Sequence, residues 1–330
     1  MRESFPIAGG GPAGAAAALA MTQAGLRPLL YEKSPFPRHK VCGEFLSPEI
    51  VPMLEQLALA SQFLALGPAR VTHAELHFSR ACRRFRLPEP AYGLSRYAFD
   101  DLLLRSAIER GTELRREAVE ESSGAGVCAR GRKPVSRRGA RIFGFKAHFS
   151  GPPNDAVELY FFPGGYCGLA PIEGGGTNLC GLVTEDLLQP RRFLMEAVFE
   201  TIPRLKERVK ALERSTRWHF TGPLQMGPPA TASGDWLPAG DAACFLDPFT
   251  GSGILAAVQT GAWAGAAAIR AAQGESWPRC RDWHRRLCRS FYRRQLSAAG
   301  ILRRLLDLGI SDWFASLLPG PLLFRLTRPS

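Results

Sequence analysis

The run FPIAGGGPAGAAAALAMTQAGLRPLLYE, from Phe5 to Glu32, leaves this chain few ways to fold. A short apolar lead enters a glycine cluster. An uncharged, alanine-rich run follows, and a second apolar run ends on an acid. This order predicts strand, tight turn, helix and strand. Gly9 permits the turn, Gly11 lets backbone approach a pyrophosphate, and Gly14 lets helix pack on strand. Pro12 and Ala13 open the helix, whose leading N–H groups carry partial positive charge toward phosphates. Glu32 closes the second strand, where a carboxylate accepts hydrogen bonds from ribose hydroxyls. A glycine fingerprint by itself is a weak signal. Here strand, helix and terminal acid accompany it at the expected spacing, which marks a dinucleotide site. Pro6 is the one irregularity, because it removes a donor from the first strand.

At 330 residues the chain is long enough to bury a sizeable core in two intertwined domains. Its eight cysteines include no CxxC pair, which suits a reducing cytoplasm and argues against a disulfide framework. Cys280, His284 and Cys288 recur at every fourth position of a helix. With no fourth ligand in view they read as a helix face, and no metal is expected. Arg2 and the apolar stretch after it have the look of a signal peptide, but the glycine motif accounts for the same residues. Ile254 to Ala268 is apolar, yet Gln259, Thr260 and its small residues make it a buried helix rather than a membrane span.

Net charge is +12 and unevenly placed. Arg270 to Arg304 holds ten arginines against Glu275 and Asp282, and Ser122 to Asn154 holds seven cations and no acid. Such clusters meet anionic lipid or a cofactor phosphate. Nucleic acid is excluded as a partner, since no helix-turn-helix, zinc-finger or RNP pattern accompanies the charge.

Between these landmarks, Lys33 to Glu44 is a Pro-containing loop with Arg38, His39 and Lys40 beside the expected phosphate site. Pro48 to Leu59 reads as a helix, and Val71 to Phe78 with Arg83 to Leu87 as a strand pair whose His73 and His77 are structural. A helix is expected from Asp100 to Arg110. Arg141 to Val183 holds the strands of an antiparallel sheet, and Gly174 to Gly176 joins two of them without a helix after it, so it is no second dinucleotide motif. Late in the chain, WLPAGDAACFLDPFTGSGI predicts a strand ending at Gly240 and Asp241, a Pro/Gly loop, and a helix starting near Gly253. A carboxylate at a strand end and a glycine-rich helix start suit sugar-alcohol hydroxyls and an electron-rich ring carbonyl.

Taken together, IAGGGPAG…YEK, PFPRHKVCGE with GLSRYAFDDLL, ELYFFPGGYCGLAPI and LPAGDAACFLDPFTGSGI resemble the FAD-dependent oxidoreductases of the aromatic hydroxylase and geranylgeranyl reductase superfamily. The resemblance covers most of the chain. It implies FAD, with Gly9, Gly11, Pro12, Ala13, Gly14, Glu32 and Lys33 at the ADP half and Arg38 and Arg96 on the pyrophosphate side. Gly240 and Asp241 would hold the ribityl chain, and Pro248, Gly251 and Gly253 would line the flavin ring. Two features depart from the family. Ala129-Arg130-Gly131 stands where relatives carry an Asp-Gly pair, and Val119 to Val127 is too short for their small β-meander.

The resulting expectation is an α/β protein: a Rossmann-like three-layer FAD-binding domain, an inserted antiparallel-sheet substrate domain and a C-terminal helical tail. The FAD domain would take residues 1–70, 96–140 and 232–270, the substrate domain 71–95 and 141–231, and a basic tail 271–330. NAD(P)H would bind transiently as reductant. The substrate would be an apolar aromatic or isoprenoid molecule, held between Tyr160, Phe161, Phe162 and Tyr166 and the loop at Pro248. Monooxygenation is the first reading. Saturation of a prenyl double bond is the alternative, and a catalytically impaired flavin-binding relative, motivated by Arg130, the second. No catalytic acid or base is nominated. The tail repeats Trp283, Leu287 and Phe291 among arginines, a stripe expected to pack on the FAD domain, with peripheral contact to an anionic inner membrane face as the competing reading. The expected location is cytoplasmic.

Overall fold

Pro6 causes no gap in the sheet it enters, and the pairing shows why. The computed structural model describes residues 5–120, 124–132, 141–152, 154–224 and 234–307. In it β1 (Pro6–Ala8) passes through the glycine turn into α1 (Pro12–Gln23), and β2 (Leu29–Tyr31) returns parallel to β1. On its other side β1 is paired only from Ile7 onward, so the donor that proline lacks has no acceptor waiting. Next come β3 (Phe45–Leu46), α2 (Ile50–Gln56) and α3 (Ala60–Ala65). The helix expected over Pro48–Leu59 is thus α2 alone, ended where Ala58 turns left-handed with φ 51°, and α3 starts beyond the expected end.

The hairpin β4 (Ala69–His77) and β5 (Cys82–Gly93) leads into α4 (Arg96–Glu109). This helix starts a turn before Asp100 because the Ser95 hydroxyl caps it, accepting the Ala98 N–H at 3.1 Å. Two short strands follow, β6 (Glu113–Arg115) and β7 (Gly126–Cys128). Then β8 (Ile142–Ser150), β9 (Ala156–Phe162), β10 (Gly165–Pro171) and β11 (Thr177–Thr184) build the antiparallel run. Helices α5 (Glu185–Leu188), α6 (Met195–Phe199) and α7 (Pro203–Lys210) cover one face of it, before β12 (Glu213–Arg214) and β13 (His219–Leu224). The chain closes with β14 (Trp236–Pro238), α8 (Gly253–Ala272) and α9 (Trp277–Asp307).

Two sheets result. One is parallel throughout, in the order β14-β7-β1-β2-β6. The stretch that looks short in sequence therefore still delivers its strand, with Val127 opposite Ile7, and no meander intervenes among the described residues. The second sheet runs β12-β8-β11-β10-β9-β4-β5-β3, with β13 also on β8. All its pairs are antiparallel except β4 with β9. Strand alternation puts Leu76, Leu159 and Phe161 on one face and Glu75, His77, Glu158 and Tyr160 on the other. On that second face His77 stacks on Tyr160 at 4.1 Å and His73 pairs with Asp155 at 2.8 Å, so both histidines serve the sheet. Donor atoms of Glu75, His77 and Glu158 lie within 4.8 Å of one another. Arg84 and Arg208 already hold the two carboxylates.

Helices α1 and α8 meet closely because small residues let them. A side-chain carbon on Gly261 would stand 2.1 Å from the Ala13 carbonyl oxygen, and one on Gly265 2.7 Å from that of Ala17. Ala15 to Leu19 are fully buried, so α1 shows no amphipathic stripe; it is apolar all round because it is covered all round. On α9 the inward face is Cys280, His284, Cys288 and Tyr292. The stripe Trp283, Leu287 and Phe291 is half-buried on its flank, with Trp283 packed on the core of the parallel sheet. Arg279, Arg286, Arg289 and Arg293 are exposed. The sequence carries a second such apolar stretch through Trp313 and Phe314, which lies outside the described residues. Among the described residues no helix is long and apolar enough to cross a membrane.

Candidate active site

The glycine turn works as three separate fits. Gly9 has φ 106°, and a Cβ there would lie 2.4 Å from the Ala129 carbonyl oxygen on the neighbouring strand's end. A Cβ on Gly14 would collide with the Gly9 carbonyl oxygen at 1.8 Å. Gly14 therefore packs helix on strand and does not reach the cavity. Gly11 is different: no protein atom lies within 4 Å of where its Cβ would be, and it lines the large cavity between the sheets. It is also the N-cap of α1 without a side-chain cap, so the first N–H groups face that space. Pro12 and Ala13 line it too.

Glu32 braces this turn. Its carboxylate accepts the N–H of Gly10 at 2.9 Å and of Ser34 at 2.8 Å, and pairs with Arg38 at 3.2 Å. Three donors leave acceptor capacity for a hydroxyl on the cavity side. Lys33 corrects the expectation for it: the side chain is exposed and does not line the cavity, because it alternates with Glu32 and points the other way. Lys40 takes up the cationic role instead. It lines the cavity, and among the described residues no carboxylate pairs with it. The surrounding protein, then Arg96 and Arg38, push its pKa down. Arg96 also lines the cavity, but Asp100 holds its guanidinium in two hydrogen bonds of 2.5 and 2.6 Å.

The late motif arrives opposite. Gly240 is left-handed, with φ 60°, and its N–H donates to the Thr260 hydroxyl at 2.8 Å while its carbonyl accepts from Tyr292 at 3.3 Å. Helices α8 and α9 thus hold the turn that carries Asp241. Arg132 lies 3.5 Å from that carboxylate and stacks over Phe245 at 4.2 Å. Arg130, the residue at the family's acidic position, donates to the Val119 carbonyl at 3.1 Å and also lines the cavity. Pro248 and the left-handed Gly251 form the next wall. Gly253 has open space in front of it at the uncapped start of α8.

Beyond this loop the cavity becomes apolar, walled by Leu76, Phe78, Val157, Leu159, Phe161, Tyr166 and Phe249. Phe249 ties the two sides, meeting Phe161 at 6.2 Å and Tyr166 at 6.1 Å edge-on. Phe78 stacks on Phe161 at 5.3 Å. Tyr160 and Phe162, grouped with these rings on sequence, face the opposite side and pack in the core under α5 to α7. Strand alternation, ignored in that grouping, separates them.

A buried charged group borders the cavity that sequence reasoning did not single out. Glu44 is fully buried, pairs with the equally buried Lys146, and meets His148 Nε2 at 2.6 Å. Burial alone would raise its pKa; His148 and Lys146 outweigh that and hold it below the usual carboxylate range. His39 packs against His148, His219 and Tyr97, and burial, then Lys146, lowers it to about 4.

FAD fits these residues: an open cradle at Gly11 between two uncapped helix starts, cations beside it, and a carboxylate at Asp241. Residues 4–138 match the family model described as an FAD binding domain. An FAD-binding domain therefore occupies the first part of the chain. This flavoprotein is 24% identical over 328 residues to 1H-pyrrole-2-carbonyl-[peptidyl-carrier protein] brominase of Pseudoalteromonas luteoviolacea, covering 84% of this chain and 80% of that one. It is 26% identical over 322 residues to digeranylgeranylglycerophospholipid reductase 2 of Methanopyrus kandleri, covering 80% and 76%. The solved flavin-dependent brominase Bmp2 has the same fold, with TM-score 0.80 at 22% identity, over 98% of this flavoprotein and 92% of that chain.

Proposed function

We propose that this enzyme passes reducing equivalents from transiently bound NAD(P)H, through FAD, to an uncharged, apolar substrate of isoprenoid or aromatic kind, and reduces a double bond there. The observation that carries this reading is the continuity of the cavity. Its polar end gathers Gly11, Arg38, Lys40 and Asp241, and the far side of Phe249 is walled by rings and aliphatic groups. A charged substrate would lose its hydration in that compartment without finding a partner.

FAD, when bound, supplies the redox chemistry itself. The chain's own residues do the rest. The start of α1 with Arg38 and Lys40 would neutralise the pyrophosphate, and Asp241, oriented by Arg132, would accept from ribityl hydroxyls. Gly251 and Gly253 would let the start of α8 face the ring's electron-rich edge. Phe161, Tyr166 and Phe249 exclude water from the side where substrate approaches. Reduction comes before oxygenation because the PFPRHKVCGE stretch resembles the geranylgeranyl reductase branch and because the Methanopyrus kandleri relative is a reductase. Oxygenation is kept as the second reading because the Phe161, Tyr166 and Phe249 rings equally suit an aromatic substrate.

Purified protein should carry flavin absorbance or regain it on adding FAD. With NADPH and an isoprenoid probe under argon, product mass should rise by a pair of hydrogens. Product formed only in air, with an added oxygen atom, would favour oxygenation. Protein that takes up no FAD would overturn both readings.

A further inference from the structure

Residues Lys33 to Glu44 form no helix or strand, yet they supply Arg38, Lys40, Cys42 and Gly43 to the cavity wall. Something else must hold this loop. Glu44 ends it in a left-handed conformation with φ 55°, a strained choice for a residue with a side chain. Its carbonyl accepts the Leu94 N–H at 3.1 Å, and its own N–H donates to Cys42 Sγ at 3.5 Å. One carboxylate oxygen accepts the Arg96 N–H at 2.6 Å at the start of α4 and pairs with Lys146 on β8; the other meets His148 on β8 at 2.6 Å. Asn178 on β11 adds a bond to the Cys42 carbonyl at 3.0 Å.

We infer that Glu44 is a positioning residue, whose buried carboxylate clamps the cavity-wall loop onto β8 and the start of α4 and so sets where Cys42 and Gly43 stand. An apolar trio of similar volume would bury more cheaply than a carboxylate, an ammonium and an imidazole. What the charged trio adds is direction: three hydrogen bonds from one side chain to two chain segments, β8 and the start of α4, at one geometry. The left-handed backbone is kept because that side chain must point back between the sheets while the loop faces the cavity.

The clamp rests on the flavin reading only in its second arm. In FAD-free protein, the rate of maleimide attachment is read at each cysteine by peptide mass mapping. Glu44→Gln keeps the shape and removes the charge. It should speed labelling at Cys42 by about tenfold or more, the loosening expected when a buried ion pair loses one partner. Cys128 and Cys288, buried elsewhere, should keep their rates. In the second arm the FAD Kd, from quenching of flavin fluorescence, should rise by about tenfold or more, with Glu44→Asp recovering part of the loss. Wild-type Cys42 labelling in a folded Glu44→Gln protein would overturn the inference. So would equal acceleration at Cys128 and Cys288, which marks general loosening. Should Glu44→Gln fail to fold, the paired variant Glu44→Gln, Lys146→Met leaves neither charge buried alone and carries the same readouts. If wild-type protein takes no FAD, the functional reading falls while the labelling arm still decides the clamp.

Discussion

Gly11 and Gly14 are three residues apart and opposite in what they tolerate. A methyl group on Gly11 meets no protein atom within 4 Å, so Gly11→Ala should fold with a Tm near wild type. It would stand in the phosphate cradle, however, and the FAD Kd should rise by about tenfold to a hundredfold, about 1.4–2.8 kcal/mol, read by fluorescence titration. On Gly14 the same methyl lies 1.8 Å from a carbonyl oxygen, and neither helix nor strand can give way. Gly14→Ala should be insoluble or melt about 10 °C or more below wild type. Thr260→Val would leave the buried Gly240 N–H without its acceptor, a loss of about 1–3 kcal/mol that denaturant melting can measure. Sequence discloses the glycines and Glu32 because their partners lie within one strand–turn–helix unit. It is silent on Thr260, Tyr292 and the Glu44 group because their partners come from segments 20 to 104 residues away.

At the scale of elements, periodicity served where a segment has one wet face and failed where it has none or is very short. α1 was found through its glycines and alanines, since burial on all sides leaves no stripe to read. β7 is three residues long and follows a loop, so nothing in its composition announces it. In β9 the consecutive aromatics Tyr160, Phe161 and Phe162 look like one cluster in sequence, while alternation sends Phe161 to the face opposite its neighbours. α9 offers two candidate faces, and the chain uses the one with Cys280, His284 and Cys288. Because α1 and α8 touch backbone to backbone, Gly261→Ala should cost about 1–3 kcal/mol although it removes nothing, and differential scanning calorimetry would show it as a lower Tm.

The molecule as a whole should be acid-labile before its carboxylates titrate. Burial is the first cause lowering both His39 and His284, each to about 4. A histidine whose folded pKa is depressed binds its proton more readily in the unfolded chain. Stability from these sites is therefore complete above pH about 6.5 and is lost as pH falls from there toward 4. The Tm should drop across that window, and His284→Gln should flatten the slope. Outside, Arg279, Arg286, Arg289 and Arg293 of α9 are exposed, and the expected contact with anionic lipid would have to be made there. With Trp283, Leu287 and Phe291 half-buried, contact would rest on charge alone. Sedimentation with anionic vesicles should be confined to low salt and vanish near 0.5 M, roughly, where charges are screened within a few ångströms.

The order β14-β7-β1-β2-β6 also has a consequence in time. During synthesis the alanine-rich α1 leaves the ribosome early, while α8, the surface that covers it, begins at Gly253. For most of translation the nascent chain carries an uncovered apolar helix and a parallel sheet lacking its last strand. Such long-range closure is slow and exposes the intermediate to aggregation. Yield in a heterologous host should therefore respond to slower elongation or to chaperone supply far more than to substitutions on the surface. A chain stopped before Trp236 should be recovered in inclusion bodies, however complete its glycine turn.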